Sequence, residues 1–281
     1  MKHQVNWITY IFAVALVCQI AHAQINSSSI IVLELVDSKI IMAADSRIII
    51  GSSPPIDNHC KIAAFREHLL FGATNGVARY SSKHDLAPAW DAVEEAKRAI
   101  QATPITHAQN SQTWLAGIVD NWVEKMLFYW RAEDLVYHDE VRKFADSQQG
   151  SLTTGIFAAA LNGELTLTVR RIKFDSNGVS VYSLPVGGCR VMPCAAGMTD
   201  IYTEYVTHAS PRAKAETWTA SPLLLQHISP EMLRVIRLVD LTIAYDKSGE
   251  VGGHIDAVEM QTDGSIHWYQ RPNCPEFYGQ P

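Results

Sequence analysis

Four side chains near the start of the chain have chemistry that a hydrolytic site could use. Ser29 supplies a hydroxyl, and Asp45, Arg47 and Lys61 follow it by 16, 18 and 32 residues. A serine hydroxyl is a weak nucleophile near neutral pH and needs a base within hydrogen-bond reach. Taken singly, these residues have structural explanations, such as an ion pair at a strand end or a solvated lysine. Their chemistry therefore depends on the elements that bring them together.

Two pairs of predicted strands surround these side chains. Residues 30–36 and 40–44 are apolar and rich in branched side chains, which predicts strands that are buried on both faces. Residues 37–39 form the predicted turn between them. Residues 61–65 and 69–72 predict a second pair, and the loop at residues 51–55 contains a glycine and two prolines.

The motif at residues 43–47, Ala-Ala-Asp-Ser-Arg, and its spacing from Ser29 and Lys61 resemble a known catalytic strand. That strand belongs to the β-type subunits of the 20S proteasome and their bacterial relatives, which are N-terminal nucleophile hydrolases. Gly51 and the segment Leu-Leu-Phe-Gly-Ala-Thr-Asn-Gly at residues 69–76 resemble the same family. The resemblance is close over residues 29–76 and looser beyond, and serine stands where the family has threonine.

The resemblance implies three catalytic residues: Ser29, Asp45 and Lys61. Cleavage before Ser29 would free its α-amine, whose unperturbed pKa near ~8 leaves an appreciable neutral fraction to act as the base. Lys61 would lie beside the hydroxyl and favour the developing alkoxide. Asp45 would fix Lys61 through a charge-assisted hydrogen bond.

Three further residues would support this set around the nucleophile. By the resemblance, Arg47 would hold the loop around Asp45 and line the site. A backbone N–H at Asn75 or Gly76 would meet the oxyanion of the tetrahedral intermediate. These residues complete the site that the N-terminal part of the chain is expected to form.

Later parts of the family pattern fit less closely. Thr199 is the nearest hydroxyl to the place where the family usually has a glycine and a serine opening a helix. Asp246 and Ser248 resemble the aspartate and serine that support the nucleophile's amine, although the gap between them is one residue shorter. All three are expected to be supporting residues.

The order of elements predicts an α+β fold. With 281 residues, 47% of them hydrophobic, the chain can build one large core, and one domain is expected over residues 29–281. Helices are predicted at residues 86–102, 113–130, from 199, and 229–245, and further strands at residues 154–162, 164–174, 178–184, 255–260 and 266–270. Residues 132–150 are charged and are expected to form a surface excursion. This order suits a four-layer αββα sandwich of two mostly antiparallel sheets flanked by helices, the N-terminal nucleophile hydrolase fold that the resemblance implies.

The first 23 residues have the features of a secretory signal peptide. Lys2 and His3 precede an apolar run at residues 7–18, and Ala-His-Ala at residues 21–23 has the small-x-small pattern of a cleavage site. A secreted or periplasmic location is therefore expected, with residues 24–28 as a short propeptide that covers Ser29. The net charge of −6 offers no basic field for nucleic acid or anionic lipid, so neither is expected as a partner. Contact with a membrane is expected only during export.

Four cysteines remain after removal of the signal: Cys60, Cys189, Cys194 and Cys274. An oxidising compartment allows one or two disulfides, and the sequence leaves their pairing open. Cys60 is expected to be a small buried residue. The cysteine spacing does not suit zinc, and no dinucleotide or phosphate-binding motif occurs, so no metal and no cofactor are expected.

Three functions remain open on the sequence. The first is a hydrolase that cleaves peptide bonds through Ser29 after autoprocessing. The second keeps the fold and cleaves a small amide, because serine nucleophiles are common among acylases of the same superfamily. The third is a non-catalytic structural or binding subunit, favoured by Ser28 where autoprocessing relatives usually have glycine. The resemblance also leaves assembly open between a homo-oligomeric ring, a smaller oligomer and a monomer.

Overall fold

The structure is a computed structural model, and it describes residues 29–49, 54–65, 68–78, 89–104, 111–207, 228–270 and 276–277. The predicted signal and propeptide, Gly51 and Cys274 lie outside these residues. The strands in chain order are β1 (Ile30–Val36), β2 (Lys39–Asp45), β3 (Ile62–Phe65), β4 (Leu69–Thr74), β5 (Val77–Ala78), β6 (Trp90–Asp91), β7 (Ser151–Leu161), β8 (Glu164–Asp175), β9 (Gly178–Leu184), β10 (Cys194–Gly197), β11 (Ile255–Gln261), β12 (Ile266–Gln270) and β13 (Glu276–Phe277). The helices are α1 (Ala92–Ala102), α2 (Ser111–Ser147), α3 (Asp200–Val206) and α4 (Pro230–Tyr245), with a short 3₁₀ helix at Gly187–Arg190.

The described strands form two large sheets and one short two-stranded ribbon. The first sheet has the order β10-β1-β2-β11-β12 and is antiparallel throughout. The second sheet has the order β13-β3-β4-β7-β8-β9, in which β13 pairs in parallel with β3 and the other pairs are antiparallel. Strands β5 and β6 make the ribbon.

Three apolar clusters lie between four layers, as the alternation of side chains along a strand requires. In β1, Ile31 and Leu33 point into the cluster between the two sheets, where they meet Ile156 of β7. Ile30 and Val32 point to the opposite side and pack with α4. The outer face of the second sheet is covered by α1 and α2 through a third cluster that is rich in aromatic side chains. The predicted αββα sandwich is therefore confirmed.

Local sequence signals explain where two helices begin. Helix α4 starts after Ser229, whose hydroxyl accepts a hydrogen bond from the Met232 N–H, with proline in the first turn. Helix α1 starts after Asp91, whose carboxylate accepts from the N–H groups of Val93 and Glu94. The prediction placed this helix from residue 86; residues 86–88 lie outside the described part, and residues 90–91 are strand.

The expectation of a surface excursion at residues 132–150 is wrong. Helix α2 continues to Ser147 through a break in helical geometry at Tyr137, where φ is −133° and ψ is 47°. Val141 and Ala145 lie one helical turn apart and are buried against the second sheet's outer cluster. The stretch is a helix with one apolar face, and its many charged residues made it resemble a surface loop in the sequence.

The disulfides differ from expectation at one position. Cys189 and Cys194 are bonded to each other, which closes a short loop just before β10. Cys60 is disulfide-bonded as well, so it is not simply a small buried residue.

No helix in the described part of the chain combines the length and apolarity needed to cross a membrane.

Candidate active site

The antiparallel pairing of the strands gathers four predicted residues at one end of the sandwich. Ser29 immediately precedes β1 and Asp45 ends β2. These two strands form one antiparallel hairpin, so the two residues lie side by side. Lys61 precedes β3 and Asn75 follows β4, and the Lys61 carbonyl accepts a hydrogen bond from the Ala73 N–H at 3.0 Å. Because the two sheets are stacked, the ends of these two hairpins face each other across the core.

The main chain of Ser29 is fixed by β10. The Ser29 carbonyl accepts a hydrogen bond of 2.8 Å from the Met198 N–H, and Ile30 pairs with Gly197. Gly197 has a φ of +92°, and a Cβ there would overlap the Ser29 carbonyl oxygen. Only glycine permits this approach, which holds the residue that carries the hydroxyl.

Ser29 is 1% exposed, and its hydroxyl contacts Asn75. The Asn75 N–H donates to Ser29 Oγ over 2.9 Å, and Ser29 Oγ donates weakly to Asn75 Oδ1 over 3.4 Å. Asn75 has a φ of +51°, a left-handed conformation that asparagine tolerates better than most residues. Next to it, a Cβ at Gly76 would come within 3.1 Å of the Ala92 Cβ, so glycine lets this turn pack on α1. Of the two predicted oxyanion donors, Asn75 is the one that contacts the hydroxyl.

Asp45 and Lys61 form a buried ion pair beside this turn. Lys61 Nζ donates to Asp45 Oδ1 over 2.7 Å, and the two side chains are 4% and 0% exposed. The Ile30 N–H donates to the same oxygen over 2.9 Å. The other oxygen accepts from the N–H of Gly252 over 3.1 Å and from the N–H of Arg47 over 3.3 Å. Each oxygen of the carboxylate is therefore satisfied, as burial of a charge requires.

Burial shifts both members of this pair away from their charged forms. The pKa of Lys61 is lowered by burial, and the charge of Asp45 opposes this change. The pKa of Asp45 is raised by burial, and Lys61 with the N–H groups of Ile30 and Gly252 opposes the rise. A lysine whose proton is held less tightly than usual can take part in proton transfer near its neighbours.

Arg47 acts on the loops around the site and not on its cavity. Its guanidinium makes two hydrogen bonds to the carboxylate of Asp57, of 2.6 and 2.9 Å, and a third of 3.1 Å to the Gly249 carbonyl. A Cβ at Gly252 would come within 2.6 Å of this guanidinium. The prediction that Arg47 lines the site is therefore not what the structure shows, although its backbone N–H reaches Asp45.

Asp246 and Ser248 belong to the loop that carries Gly252. The Asp246 carboxylate accepts from the N–H groups of Ser248 and Val251 and from the Ser248 hydroxyl, over 2.8, 2.8 and 2.6 Å. These bonds lower the pKa of Asp246, although burial opposes them. The loop thereby presents the Gly252 N–H to Asp45.

The structure does not bring every predicted residue to the nucleophile. Thr199 precedes α3, and its hydroxyl makes no capping hydrogen bond. Among the described residues, neither Thr199 nor the Asp246–Ser248 turn is hydrogen-bonded to the side chain of Ser29. Contacts that the sequence did not predict come from Met198 and Gly252, which lie more than 160 residues along the chain from Ser29 and act through their backbones.

A small cavity lies beside the hydroxyl. Its volume is about 10 Å³, close to the room that one water molecule needs. Ser29, Lys61 and Asn75 line it together with Ile48, His59, Ala73, Gly76, Val77 and Val93. The described residues contain no cluster of three or more histidine, cysteine or acidic side chains that could hold a metal ion. The chemistry that this arrangement supports is that of a hydroxyl, a buried charged pair and a backbone donor.

Comparison with known proteins gives a weak structural likeness and no match in sequence. No protein-family model matches the chain, and no curated protein matches it in sequence. Among solved structures the chain is similar to the Gly-1 mutant of Anbu from Hyphomicrobium sp. strain MC1, with 13% identity over 89% of each chain and a TM-score of 0.47. A likeness at this level bears on neither the activity nor the individual residues of the site.

Proposed function

We propose that this chain is an exported, proteasome-like N-terminal nucleophile hydrolase that cleaves peptide bonds through Ser29 once the chain has been cut before that residue. One observation carries the proposal. Lys61, which is buried and paired with Asp45, lines the same cavity as Ser29, and the Ser29 hydroxyl already accepts a hydrogen bond from the Asn75 N–H. A buried ion pair is a weak contributor to stability, so its presence beside a hydroxyl favours a chemical role.

The first step would be autoprocessing. Ser29 Oγ attacks the carbonyl carbon of Ser28, the peptide nitrogen leaves as the α-amine of Ser29, and an ester joins Ser28 to the hydroxyl oxygen. Water then hydrolyses this ester, which releases the preceding segment with a free carboxylate and restores the hydroxyl. The step creates an amine whose ordinary pKa lies near ~8 and which can serve as a base.

Peptide cleavage would repeat this chemistry on a substrate. The α-amine takes the proton from Ser29 Oγ as the oxygen attacks the scissile carbonyl, and the Asn75 N–H stabilises the resulting oxyanion. The proton passes to the departing amine, which leaves an ester on Ser29. Water, activated by the same α-amine, hydrolyses the ester and releases the acid. Lys61 would favour the anionic oxygen throughout, and Asp45 would hold Lys61 in place.

The processing experiment compares the wild-type protein with Ser29→Ala and with a control, Ser180→Ala, on β9 far from the site. N-terminal sequencing and intact mass of the exported proteins are measured. We expect the wild type and the control to begin at Ser29, and Ser29→Ala to retain the segment that precedes it. If all three retain that segment, no free α-amine forms, and the structural-subunit alternative replaces the proposal.

A peptide epoxyketone then tests the amine and the hydroxyl together. The hydroxyl adds to the ketone and the α-amine opens the epoxide, so the ring that forms adds the full mass of the probe and nothing leaves. We expect this adduct on the processed wild-type chain and none on Ser29→Ala. A processed chain that hydrolyses peptides without forming the adduct would contradict the use of both groups.

The small-amide alternative is favoured by the size of the cavity. A volume of about 10 Å³ beside Ser29 holds about one water molecule, so a small acyl group would need less movement of the cavity walls than a peptide side chain. The kcat/KM values for a panel of peptide amides and for short acyl amides distinguish the two candidates. A preference for peptides supports the first, and a preference for acetyl or propionyl amides supports the second.

A further inference from the structure

Asn75 is held on both sides by hydrogen bonds. Its N–H donates to Ser29 Oγ over 2.9 Å, and its carbonyl oxygen accepts a hydrogen bond of 2.9 Å from the hydroxyl of Thr153. The two contacts fix the peptide planes before and after a residue whose φ is +51°. The conformation that aims the N–H at the nucleophile is thus restrained from both directions.

Thr153 is placed for this contact by the pairing of β7 with β4. Strand β4 pairs with β7 as far as Thr74 and Thr154, and Asn75 follows at the point where this ladder ends. The register between β7 and β8 shifts between Ser151 and Thr153, which indicates a bulge. Bulges are frequent next to functional sites. Here the Thr153 hydroxyl, and not a backbone group, reaches Asn75.

The direction of the Thr153 hydroxyl is set by Trp130 of α2. Trp130 Nε1 donates to Thr153 Oγ1 over 2.9 Å, so this oxygen is the acceptor and its single proton is available for the Asn75 carbonyl. Thr153 and Trp130 are 0% and 1% exposed. The Trp130 ring packs edge-on against Trp90 and stacks on Phe144, which fixes its position. Hydrogen bonds in such a buried chain reinforce one another.

We infer that Thr153, oriented by Trp130, is a positioning residue that holds the Asn75 N–H in place for the tetrahedral intermediate. This inference rests on the proposed function, because it concerns the oxyanion donor of that reaction. During turnover the N–H turns from Ser29 Oγ to the substrate oxyanion, and the first restraint on Asn75 is released. The contact with Thr153 does not involve the reacting atoms and remains in force. It therefore matters most in the transition state.

The test replaces the hydroxyl without changing the size of the side chain. Thr153→Val removes the donor, Thr153→Ser restores it, and Thr154→Val is the matched control, since the Thr154 hydroxyl lies 3.5 Å from Ser151 Oγ. Rates are normalised to the fraction of chains that begin at Ser29. We expect Thr153→Val to lower kcat by about 10-fold, less than the roughly 10²-fold or greater loss on deleting a donor outright, with KM changed by less than about 2-fold. Thr153→Ser and Thr154→Val are expected to stay within about 3-fold of the wild type.

A peptide boronate provides a second measurement, because it forms a tetrahedral adduct with the hydroxyl. We expect its affinity to fall in Thr153→Val by the same factor as kcat, which a purely structural role would not require. If Thr153→Val does not fold, Trp130→Phe replaces it, with an expected fall in kcat of about 3-fold or more.

Three outcomes would overturn the inference. An unchanged kcat in Thr153→Val, or equal losses in Thr153→Val and Thr154→Val, removes the positioning role while the proposed function stands. A kcat that falls by less than about 3-fold in a folded Trp130→Phe has the same meaning when that variant is the one available. A wild-type protein with no more activity than Ser29→Ala removes the proposed function, and the inference with it.

Discussion

Two carboxylates are 0% exposed but differ in their hydrogen bonds: that of Asp45, at the end of β2, and that of Glu133, in α2. Asp45 accepts hydrogen bonds from Lys61 and from backbone N–H groups on both of its oxygens. Neither oxygen of Glu133 has a hydrogen-bond partner in the described part of the chain. Burial raises the pKa of Glu133 to about 7. The donors around Asp45 therefore reflect a requirement for charge at that place and not a general consequence of burial.

The largest effect is expected when the ion pair between Asp45 and Lys61 is broken. Lys61→Met should leave Asp45 as a buried carboxylate without its cation, which typically destabilises a protein by about 3–5 kcal/mol. Activity should be lost as well, because the hydroxyl loses the neighbouring charge. Denaturant unfolding and peptide hydrolysis measure the two effects.

Two further variants sharpen this prediction. Lys97→Met, which removes a lysine from the exposed surface of α1, should change the free energy of unfolding by less than about 0.5 kcal/mol. The double variant Asp45→Asn with Lys61→Met should recover part of the stability but none of the activity, since no unpaired charge remains. If Lys61→Met unfolds at the same denaturant concentration as the wild type, the pair does not bear the charge that we assign to it.

Glu133 should behave in the opposite way. A carboxyl whose pKa rises from 4.5 to about 7 costs about 3 kcal/mol to ionise in the folded chain relative to water, since each pKa unit corresponds to ~1.4 kcal/mol. Glu133→Met removes this cost, so we expect it to raise the free energy of unfolding by about 2–3 kcal/mol at pH 8. Glu95→Met provides the contrast, because Glu95 is also buried but accepts from Arg98 and Tyr129. Its replacement should destabilise the protein.

The pH dependence identifies ionisation as the cause. The folded protein holds the Glu133 proton more tightly than the unfolded chain does, so this group's contribution is present in full below pH 4.5 and is lost as pH rises through about 7. The difference between Glu133→Met and the wild type should therefore grow between pH 5 and pH 8, as urea unfolding at each pH would show. A difference that is constant over this range would mean that packing, and not ionisation, separates the two proteins.

The same two regions show how far the sequence could predict this molecule. The strands β1 and β9 were predicted to the residue, because short runs bounded by turn residues leave few alternatives. Helix α2 was predicted only to residue 130, since Glu133 interrupts its apolar face and Tyr137 breaks its geometry. Buried Val141 and Ala145 at helical spacing were the signal that could have extended it. Likewise Asp91 followed by Glu94 three residues later is a helix-start pattern that would have placed α1 correctly.

The site could be predicted only where its residues come from hairpins that are neighbours in sequence. The spacing of Ser29, Asp45 and Lys61 follows from two adjacent hairpins, and the structure brings these residues together with Asn75. Thr153 and Gly252 reach the site from distant segments, one through a side-chain hydroxyl at the end of the pairing between β4 and β7 and the other through a backbone N–H. Neither contact has a residue pattern, because every residue type except proline has a backbone N–H and the neighbours of a strand end depend on which strands pair.

The smallest effect is expected at the exposed charged pair that borders the site. Asp57 is half exposed and forms a two-point contact with Arg47. The guanidinium lowers the pKa of Asp57, so this stabilisation is present above the unfolded pKa and is lost as pH falls through the folded value. Solvent screening limits such pairs to about 0–1 kcal/mol, and we expect Asp57→Asn to destabilise the protein by less than about 1 kcal/mol with kcat within 2-fold of the wild type. Urea unfolding at low and high salt, with kcat measured in parallel, checks both values. A kcat loss as large as that of Lys61→Met would show that Asp45, Arg47 and Asp57 act as one charged network, and the contrast between buried and exposed carboxylates would no longer separate the site from its border.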